Sequence, residues 1–283
     1  MSLPRISYAE HSRLRSSVSD LLHAGSRRPW DHADMRVGLV SDVHGNTVAL
    51  DAVLDEIARR GVDVIVCLGD LAANGPDPAG SVERIAALAC PVVMGNTDAD
   101  MVNMPDWWHD PNAVGAPEPA RRIAEISLWC SERLTDEHRR FLAGLPKTIE
   151  VDLGAAGRLL GFHGSPRSAT DVITATTPSD ELDEMLTGAD QAVLAGGHTH
   201  VSMVRRHHTQ TIINPGSVGL PFVAYGHAGQ VAVLDHAAYA LVTADELEVG
   251  IELRQVPVDR EQLSRQVEAS GMPHSAWWVA LRR

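Results

Sequence analysis

The sequence predicts an α/β fold in which two β-sheets pack against each other, with helices on their outer faces. In the first half of the 283-residue chain, short apolar runs alternate with segments of helical periodicity. Three of these runs end in polar loops, which is the β-α-β-α-β pattern of a parallel sheet with right-handed crossovers. From residue 147 the pattern changes to short strands separated by turns. With 44% hydrophobic residues, the chain is expected to bury both half-cores as one domain.

The first half should consist of three strand units followed by two further helices. Each predicted strand is an apolar run bounded by Gly, Asn or Asp, which is typical of a buried parallel strand. The first helix stops at Gly61, and the last is capped by Thr135. The predicted strands are 37–41, 62–68 and 91–94, and the predicted helices are 47–60, 78–89, 120–133 and 135–143.

The second half should be rich in short strands. A helix at 178–186 is predicted to have Pro178 at its first position after a Thr177 cap, because an N–H is not needed there. A meander is expected at 230–256, and a closing helix at 259–270. The predicted strands are 148–151, 158–162, 191–195, 203–207, 211–214, 230–234, 239–243 and 251–256.

The chain divides into an N-terminal accessory arm at 1–34, a compact domain at 35–270 and a C-terminal tail at 271–283. A Pro-rich insertion at about 101–119 carries Trp107, Trp108 and His109. It forms a lid or packs its tryptophans on the domain, and packing is favoured. Trp277 and Trp278 of the tail dock either on the domain, which is the commoner case, or on a second subunit. A homo-oligomer therefore stays open.

Composition argues against two broad classes of function. With 24 Lys and Arg against 37 Asp and Glu, the net charge of -13 disfavours general nucleic-acid binding and attachment to anionic membranes. No window approaches the ~20 apolar residues of a membrane span. The three cysteines are odd in number and lack a C-x-x-C pair, so buried thiols and a reducing, cytoplasmic setting are expected.

Polar side chains follow the ends of five predicted strands. Alone, Asp42-x-His44 would more often be a turn aspartate beside a surface histidine. Five ends carrying only His, Asp and Asn favour a site for a borderline transition metal, at the edge where open α/β sheets bind ligands. Glycines at 45, 69, 95, 164 and 197 are expected to give these turns an unrestricted φ. The polar residues are Asp42, His44, Asp70, Asn96, Asp98, His163, His198 and His200.

Six blocks make the chain resemble the calcineurin-like metallophosphoesterases from about residue 35 to about residue 270. The blocks are SDVHGN, GDLAANGPDP, GNTD, HGSP, GGHTH and NPGSVG, and their order is more specific than any one of them. The last block is shared with the small bacterial and archaeal phosphodiesterase branch. The resemblance implies a four-layer αββα sandwich of two mixed sheets flanked by helices, with two divalent metals at the sheet ends.

The resemblance also implies a reaction and a ligand set. The reaction is hydrolysis of a small phosphate ester or nucleotide, phosphodiesters before monoesters, by a hydroxide that bridges the metals. Mixed nitrogen and oxygen ligands suit Mn, Fe, Co, Ni or Zn, and Mn is favoured. The implied ligands are Asp42, His44 and His200 for one metal, Asn96, His163 and His198 for the other, and Asp70 as the bridge.

The GNTD block departs from the family motif G-N-H-D or G-N-H-E. Thr97 stands in place of the motif histidine, so an imidazole that could protonate the leaving group is missing. His109, His207 and His208 are candidate replacements, although each is more often a surface residue. Asp98 is expected to orient a ligand histidine. The predicted catalytic residues are Asp70, Asn96, Thr97 and Asp98.

A second departure affects the predicted substrate contacts. Relatives often continue NPGSVG with Pro-Arg, whereas this chain continues with Leu-Pro-Phe222. Arg167, which follows HGSP, is a candidate for the missing phosphate contact. The predicted substrate-binding residues are therefore Asn96, Arg167 and His109.

Other functions stay open at this point. A phosphomonoesterase or a dinucleoside polyphosphate hydrolase would use the same metals. A non-catalytic scaffold is the alternative of another class, since a retromer subunit shares the fold but has lost ligand residues. In this chain every ligand position is filled, which favours an enzyme.

Overall fold

Two mixed β-sheets face each other at the centre of the fold in the computed structural model of the protein. The structure describes residues 35–108, 118–225, 230–245 and 248–282. The predicted arm at 1–34 and the second part of the insertion, including His109, lie outside the described residues. Within the described ranges, no helix combines the length and the hydropathy that crossing a bilayer requires.

Helices and strands alternate in the first half, and strands dominate the second. Short 3-10 turns occupy Asp106–Trp108 and Gly154–Ala156. The strands are β1 (Met35–Val40), β2 (Val64–Cys67), β3 (Thr148–Asp152), β4 (Arg158–Phe162), β5 (Val193–Ala195), β6 (Met203–His207), β7 (Gln210–Asn214), β8 (Phe222–Tyr225), β9 (Gln230–Val233), β10 (His236–Ala244) and β11 (Val249–Pro257). The helices are α1 (Thr47–Arg60), α2 (Pro78–Leu88), α3 (Asn96–Asn103), α4 (Glu118–Glu132), α5 (Asp136–Ala143), α6 (Ser179–Met185), α7 (Arg260–Ser270) and α8 (Ser275–Ala280).

The first sheet has the strand order β11-β10-β1-β2, and the second has the order β3-β4-β5-β7-β6. β1 pairs with β2 in parallel, as do β4 with β5 and β5 with β7. The remaining pairs in both sheets are antiparallel. In the second sheet the parallel strands β4, β5 and β7 lie at the centre, whereas in the first sheet the parallel pair is the internal strand β1 and the last strand β2. The carboxyl ends of parallel neighbours share one edge of their sheet.

Three apolar clusters fill the spaces between four layers. One lies between the first sheet and helices such as α1 and α7, one between the two sheets, and one between the second sheet and α6. Alternate residues of each strand point to opposite faces, so Leu39 joins the cluster between the sheets, whereas Val40 faces the helices. Leu159 and Leu160 of β4 divide in the same way. The αββα layering is confirmed.

The sequence-based prediction of elements needs correction at four places. The segment 91–94 is not a full strand but makes a single parallel bridge to β2, because Pro91 has no N–H and Met94 donates to the carbonyl of Pro146. Pro178 is the cap of α6 and not its first residue, since its ψ of 148° is extended. β9 pairs with β8, which was not predicted, so the expected meander is a hairpin of β10 and β11. Helix α3 occupies the place of the predicted polar loop after 91–94 and the start of the predicted insertion.

Trp108 and Trp278 pack on the domain, which is the favoured alternative for each. Trp108, in the described part of the insertion, is 2% exposed and belongs to the core beneath the first sheet. Trp278 in the tail is 3% exposed, and its indole N–H donates to the backbone carbonyl of Asn74 at 2.8 Å. The described part of the tail is therefore packed on the domain.

Cys67 and Cys130 are buried free thiols, and Cys90 is a partly exposed one.

Candidate metal centre

Loops at the carboxyl ends of the central strands bring the predicted ligands to one edge of the sheets. Backbone hydrogen bonds join the loops after β1 and β2, from the Asp42 N–H to the Gly69 carbonyl and from the His44 N–H to the Asp70 carbonyl, both at 3.0 Å. The Gly197 N–H donates to the His163 carbonyl at 2.7 Å and joins the loops after β4 and β5. The ligand loops are thus fixed relative to one another by the main chain.

The first group of side chains consists of Asp42, His44 and His200, all of them buried. Asp42 Oδ1 lies 3.3 Å from His200 Nε2 and 3.8 Å from His44 Nε2. Asp42 Oδ2 accepts the backbone N–H of His198 at 3.1 Å, whereas Oδ1 has no hydrogen-bond donor among the described residues. A buried carboxylate oxygen without a donor is costly in the absence of a cation.

Backbone carbonyls fix which nitrogen of each buried histidine faces the site. The Nδ1 atoms of His44, His163 and His200 lie 2.9, 2.6 and 2.6 Å from carbonyl oxygens. Because a carbonyl oxygen only accepts, each Nδ1 carries the hydrogen, and a neutral ring presents its Nε2 lone pair to the site. His44 Nε2 and His200 Nε2 are 3.1 Å apart, so two lone pairs face each other unless a proton or a metal ion lies between them.

The second group is formed by Asp42, Asp70 and His163. His163 Nε2 lies 3.4 Å from Asp70 Oδ2 and 4.0 Å from Asp42 Oδ1. The amide oxygen of Asn96 is 3.0 Å from the same nitrogen. A neutral His163 would again face oxygen acceptors alone, so this group too needs a proton or a metal ion at its centre.

Asp70 lies between the two groups. Its Oδ2 is 3.4 Å from His163 Nε2 and 3.7 Å from His44 Nε2, one nitrogen in each group. Its Oδ1 accepts the backbone N–H of Thr97 at 2.9 Å, which fixes the carboxylate plane. The position is suitable for a carboxylate shared by two cations, although Asp42 also contacts both groups.

The pKa values of the site residues reflect the negative charge of the two carboxylates. Burial opposes a charge on His163, but the charge and hydrogen bond of Asp70, together with the Asp42 charge and the Leu68 carbonyl, outweigh burial and raise the pKa of His163 to about 10. Burial and then the neighbouring His200 lower the pKa of His44 to about 4. Burial raises the pKa of Asp70, but the charge and hydrogen bond of His163, the charge of His44 and the hydrogen bond from the Thr97 N–H together bring it below its ordinary value. Without a metal, protons on His163 and His200, whose pKa values the nearby carboxylates raise against the effect of burial, balance the negative charge.

The ligand residues themselves adopt the left-handed backbone conformation. A positive φ is uncommon outside glycine and marks a strained position that the surrounding structure must hold. The affected residues and their φ values are Asp42 (55°), His44 (47°), Asp70 (59°), His198 (67°) and His200 (60°). Strain at five of the seven predicted ligand positions indicates that the loops are shaped around the site.

Gly95 and Gly197 are required for close approach and not for an unrestricted φ. A Cβ on Gly95 would lie 2.1 Å from Asp70 Oδ1, and a Cβ on Gly197 would lie 2.0 Å from Ser41 Oγ. Neither residue has a positive φ, whereas Gly45 and Gly69 do, at 61° and 93°. The predicted reason for glycine thus holds at the first two loops only.

Asp98 joins two site loops instead of orienting a histidine as predicted. Its carboxylate accepts the backbone N–H groups of Asp70 and Leu71 at 2.8 Å and of Gly95 at 3.0 Å. Burial and then the nearby Asp70 charge raise the pKa of Asp98 to about 6, so the group stays mostly ionised at neutral pH. Its role is to position the backbone of Asp70.

Among the predicted site residues, His198 and Arg167 belong to neither of the two tight groups, whereas Asn96 contacts the second. The half-buried His198 ring stands edge-on to His163 with ring centroids 5.3 Å apart.

The Thr97 hydroxyl is buried without a hydrogen-bond partner among the described residues. Arg167 Nε donates to Asp171 at 2.7 Å, and its guanidinium lies 3.9 Å from Glu184. A substrate phosphate would compete with two carboxylates for Arg167, and the predicted role of His109 lies outside the described residues.

Phe222 is a site residue that the sequence analysis noted only as a departure. Its ring stacks on His200 with centroids 4.5 Å apart and planes 6° from parallel. The His200 Nδ1 also contacts the Leu220 carbonyl, so both come from the segment that follows NPGSVG. Stacking is a tertiary contact, and the only sequence signal for it was an aromatic residue close after this block.

The donor set fits divalent transition metals. Each group combines imidazole nitrogen with carboxylate oxygen and contains no thiolate, which suits Mn, Fe, Co, Ni or Zn. The unpaired Asp42 Oδ1 and the facing Nε2 lone pairs are the features that a cation would satisfy. The residues present therefore fit the predicted cofactor, while the number and identity of the ions stay a proposal.

Comparison with known proteins gives a family match over most of the chain. The model of the calcineurin-like phosphoesterase superfamily domain matches residues 35–238. That range includes every predicted metal ligand from Asp42 to His200.

Individual relatives are distant in sequence and similar in length. An uncharacterized protein of Methanocaldococcus jannaschii is 26% identical over 263 residues, which is 87% of this chain and 96% of that protein. The phosphodiesterase YfcE of Escherichia coli K12 is 26% identical over 222 residues, covering 75% of this chain and 94% of YfcE. The crystal structure of a metallophosphoesterase from Sphaerobacter thermophilus has a TM-score of 0.66 and 27% identity, covering 88% of this chain and 98% of that one.

Proposed function

The chain belongs to the calcineurin-like phosphoesterase superfamily, and from this premise we propose that it hydrolyses phosphodiesters with two divalent metal ions, Mn²⁺ in first place. The two ions would lie in the groups around His44 and His163, with Asp70 shared between them. The similarity to the phosphodiesterase YfcE supports the choice of phosphodiesters over monoesters.

The observation on which the proposal rests is that, in each of the two groups, buried hydrogen-bond acceptors face one another. His44 Nε2 and His200 Nε2 are 3.1 Å apart beside Asp42, and His163 Nε2 faces the oxygens of Asn96 and Asp70. Tertiary hydrogen bonds that the Nδ1–H groups donate to backbone carbonyls keep all three Nε2 atoms directed inward. With neutral imidazoles these buried atoms are acceptors without donors, each costing about 1–3 kcal/mol, and bound cations would satisfy them.

Bound metal ions would supply Lewis acidity toward a phosphoryl oxygen and a water molecule that deprotonates near neutral pH. The protein supplies the geometry. Asp42 and Asp70 provide negative charge, the three backbone-anchored imidazoles provide neutral nitrogen ligands, and Asn96 provides a neutral oxygen. Phe222 keeps one face of His200 covered and limits its rotation.

A direct test measures hydrolysis of bis-p-nitrophenyl phosphate by chelator-treated full-length protein after addition of Mn²⁺, Ni²⁺, Co²⁺ or Zn²⁺. We expect no turnover in the presence of the chelator and restored turnover with at least one metal. Wild-type protein that binds metal but shows no turnover with any of them would favour the scaffold alternative. Faster turnover of p-nitrophenyl phosphate than of the diester would favour a phosphomonoesterase.

Thr97 leads to a prediction about leaving groups. Because a threonine hydroxyl is not acidic enough to protonate a departing alkoxide, the rate should depend steeply on the pKa of the leaving alcohol. We expect aryl diesters to react at least about a hundredfold faster than alkyl diesters, on the scale of the contribution of one general acid. A series of aryl and alkyl methyl phosphodiesters measures this dependence. Equal rates across the series would show that another group donates the proton.

The variant Thr97→His provides the matching control. It restores the histidine of the family motif, so it should accelerate alkyl diesters more than aryl diesters. An equal effect on both series would mean that the histidine does not reach the leaving group from this position.

A further inference from the structure

A second cluster of potential metal ligands lies apart from the candidate metal centre, where α6 meets the β6–β7 hairpin. It consists of Asp183 on α6, His207 at the end of β6 and His208 in the following turn. One ligand atom from each residue lies within 4.8 Å of the other two. The cluster shares no residue with the groups around His44 and His163.

Both histidines direct the same nitrogen at one carboxylate oxygen. The Nε2 atoms of His207 and His208 each lie 2.9 Å from Asp183 Oδ1. Neighbouring residues of an extended strand point to opposite faces, so two adjacent histidines do not ordinarily converge. His208 has a φ of 50°, and this left-handed turn brings its ring to the same side as His207, with centroids 4.2 Å apart.

The three side chains of this second cluster differ in exposure in the way that a surface metal site requires. His207 is only 5% exposed and therefore anchored, while the side chains of Asp183 and His208 are 55% and 66% exposed. Ions can thus enter, and water can complete the coordination. Two imidazoles and one carboxylate are the donor set of many three-ligand zinc sites.

The distances are close to those of tetrahedral coordination. Zn–N and Zn–O bonds of about 2.0–2.2 Å place ligand atoms roughly 3.3 Å apart. The observed separation of 2.9 Å between each Nε2 and Asp183 Oδ1 needs only a small outward movement of two exposed side chains.

We propose that a divalent transition metal, Zn²⁺ in first place, binds at a surface site formed by Asp183, His207 and His208. The bound ion would hold α6 against the β6–β7 hairpin. Without the ion, α6 is held on the second sheet by Leu182, by Leu186 directly after the helix, and by the two hydrogen bonds that His207 and His208 donate to Asp183. Coordination would replace those hydrogen bonds with metal–ligand bonds, which resist separation of the helix from the sheet. The site is independent of the proposed phosphodiesterase activity.

The test compares Zn²⁺ binding by full-length wild-type protein with that of Asp183→Asn and His208→Asn. Both replaced residues are largely exposed, and asparagine tolerates the left-handed conformation of His208, so both variants should fold. Asp180→Asn, an exposed carboxylate of the same helix, is the matched control. Equilibrium dialysis of chelator-treated protein at micromolar free Zn²⁺ should show one Zn²⁺ fewer in each cluster variant and no change in the control. Zn²⁺ should also raise the Tm of wild type more than that of the cluster variants.

Two-dimensional ¹⁵N NMR of the imidazoles shows whether the cluster is a metal site or only a pair of hydrogen bonds. Zn²⁺ should shift the Nε2 resonances of His207 and His208 in wild type and leave them in place in Asp183→Asn. Equal Zn²⁺ counts in all four proteins, together with unshifted resonances, would reduce the cluster to a pair of hydrogen bonds. The Nε2 atoms of His207 and His208 are both engaged by Asp183, so neither is expected to act as the general acid that the sequence analysis considered. Diester hydrolysis should therefore be unchanged in every variant, and its loss would contradict the independence of the two sites.

Discussion

Replacing Asp70 with asparagine is expected to lower kcat/KM for a bis-aryl phosphate by at least about a thousandfold, the scale of losing a metal-activated nucleophile. The reason is the position of Asp70 Oδ2, which lies 3.4 Å from His163 Nε2 and 3.7 Å from His44 Nε2. The amide keeps the shape of the side chain but removes the negative charge that would hold two cations close together. The measurement is steady-state hydrolysis together with the number of tightly bound metal ions.

The exposed residue Asp55 on α1 provides the control. Asp55→Asn removes the same charge far from the ligand loops and should retain the wild-type rate and metal content. A normal Tm in Asp70→Asn would show that the fold survives the substitution. Full activity and full metal content in Asp70→Asn would contradict the role of Asp70 as a shared ligand.

Replacing Asp98 with alanine is expected to reduce the free energy of unfolding by roughly 3 kcal/mol or more, since hydrogen bonds to a charged group contribute about 1.5–3 kcal/mol each and do not add fully. The substitution leaves the N–H groups of Asp70, Leu71 and Gly95 without their acceptor inside the protein. Loss of these bonds also releases the backbone that positions Asp70, so activity should fall together with stability. Chemical denaturation and diester hydrolysis measure the two effects.

Two further variants show whether the burial of Asp98 is the reason for the large expected loss of stability. Asp98→Asn keeps one acceptor oxygen and should lie between wild type and alanine in stability. Asp259→Ala removes an exposed carboxylate that accepts a single backbone N–H, from Gln262, and should cost only about 1 kcal/mol. Equal losses in Asp98→Ala and Asp259→Ala would contradict the role of Asp98 as the buried link between the two loops.

Regular elements were predictable because their periodicity is a local property of the chain. The period of two in β1 and β4 separates the residues that face the other sheet from those that face helices. The limits of α1 follow from the Asn46 side chain that caps its start and from the left-handed Gly61 at its end. β8 was not predicted although β2 and β9 are equally short, and the only strand it pairs with in the described sheets is β9.

Interactions between distant residues were not predictable in the same way. Asp98 was assigned to a histidine because carboxylates commonly orient metal ligands, but its donors are main-chain groups, which leave no mark in the sequence. His207 was expected at the surface because histidine is commonly exposed. It is instead 5% exposed, and its Nε2 contacts Asp183, which lies 24 residues away in the sequence.

By itself, the sequence determined the layers of the fold, the loops that carry the chemistry and the kinds of ligand they offer. Strand and helix periods and the composition of strand ends depend on residues a few positions apart. Only the tertiary structure decided that Asp42 contacts both groups, that the ligand residues adopt a positive φ, and which nitrogen of each histidine faces inward. The cause is chain separation: His44 and His200 are 156 residues apart, and their 3.1 Å contact exists only after both sheets have packed.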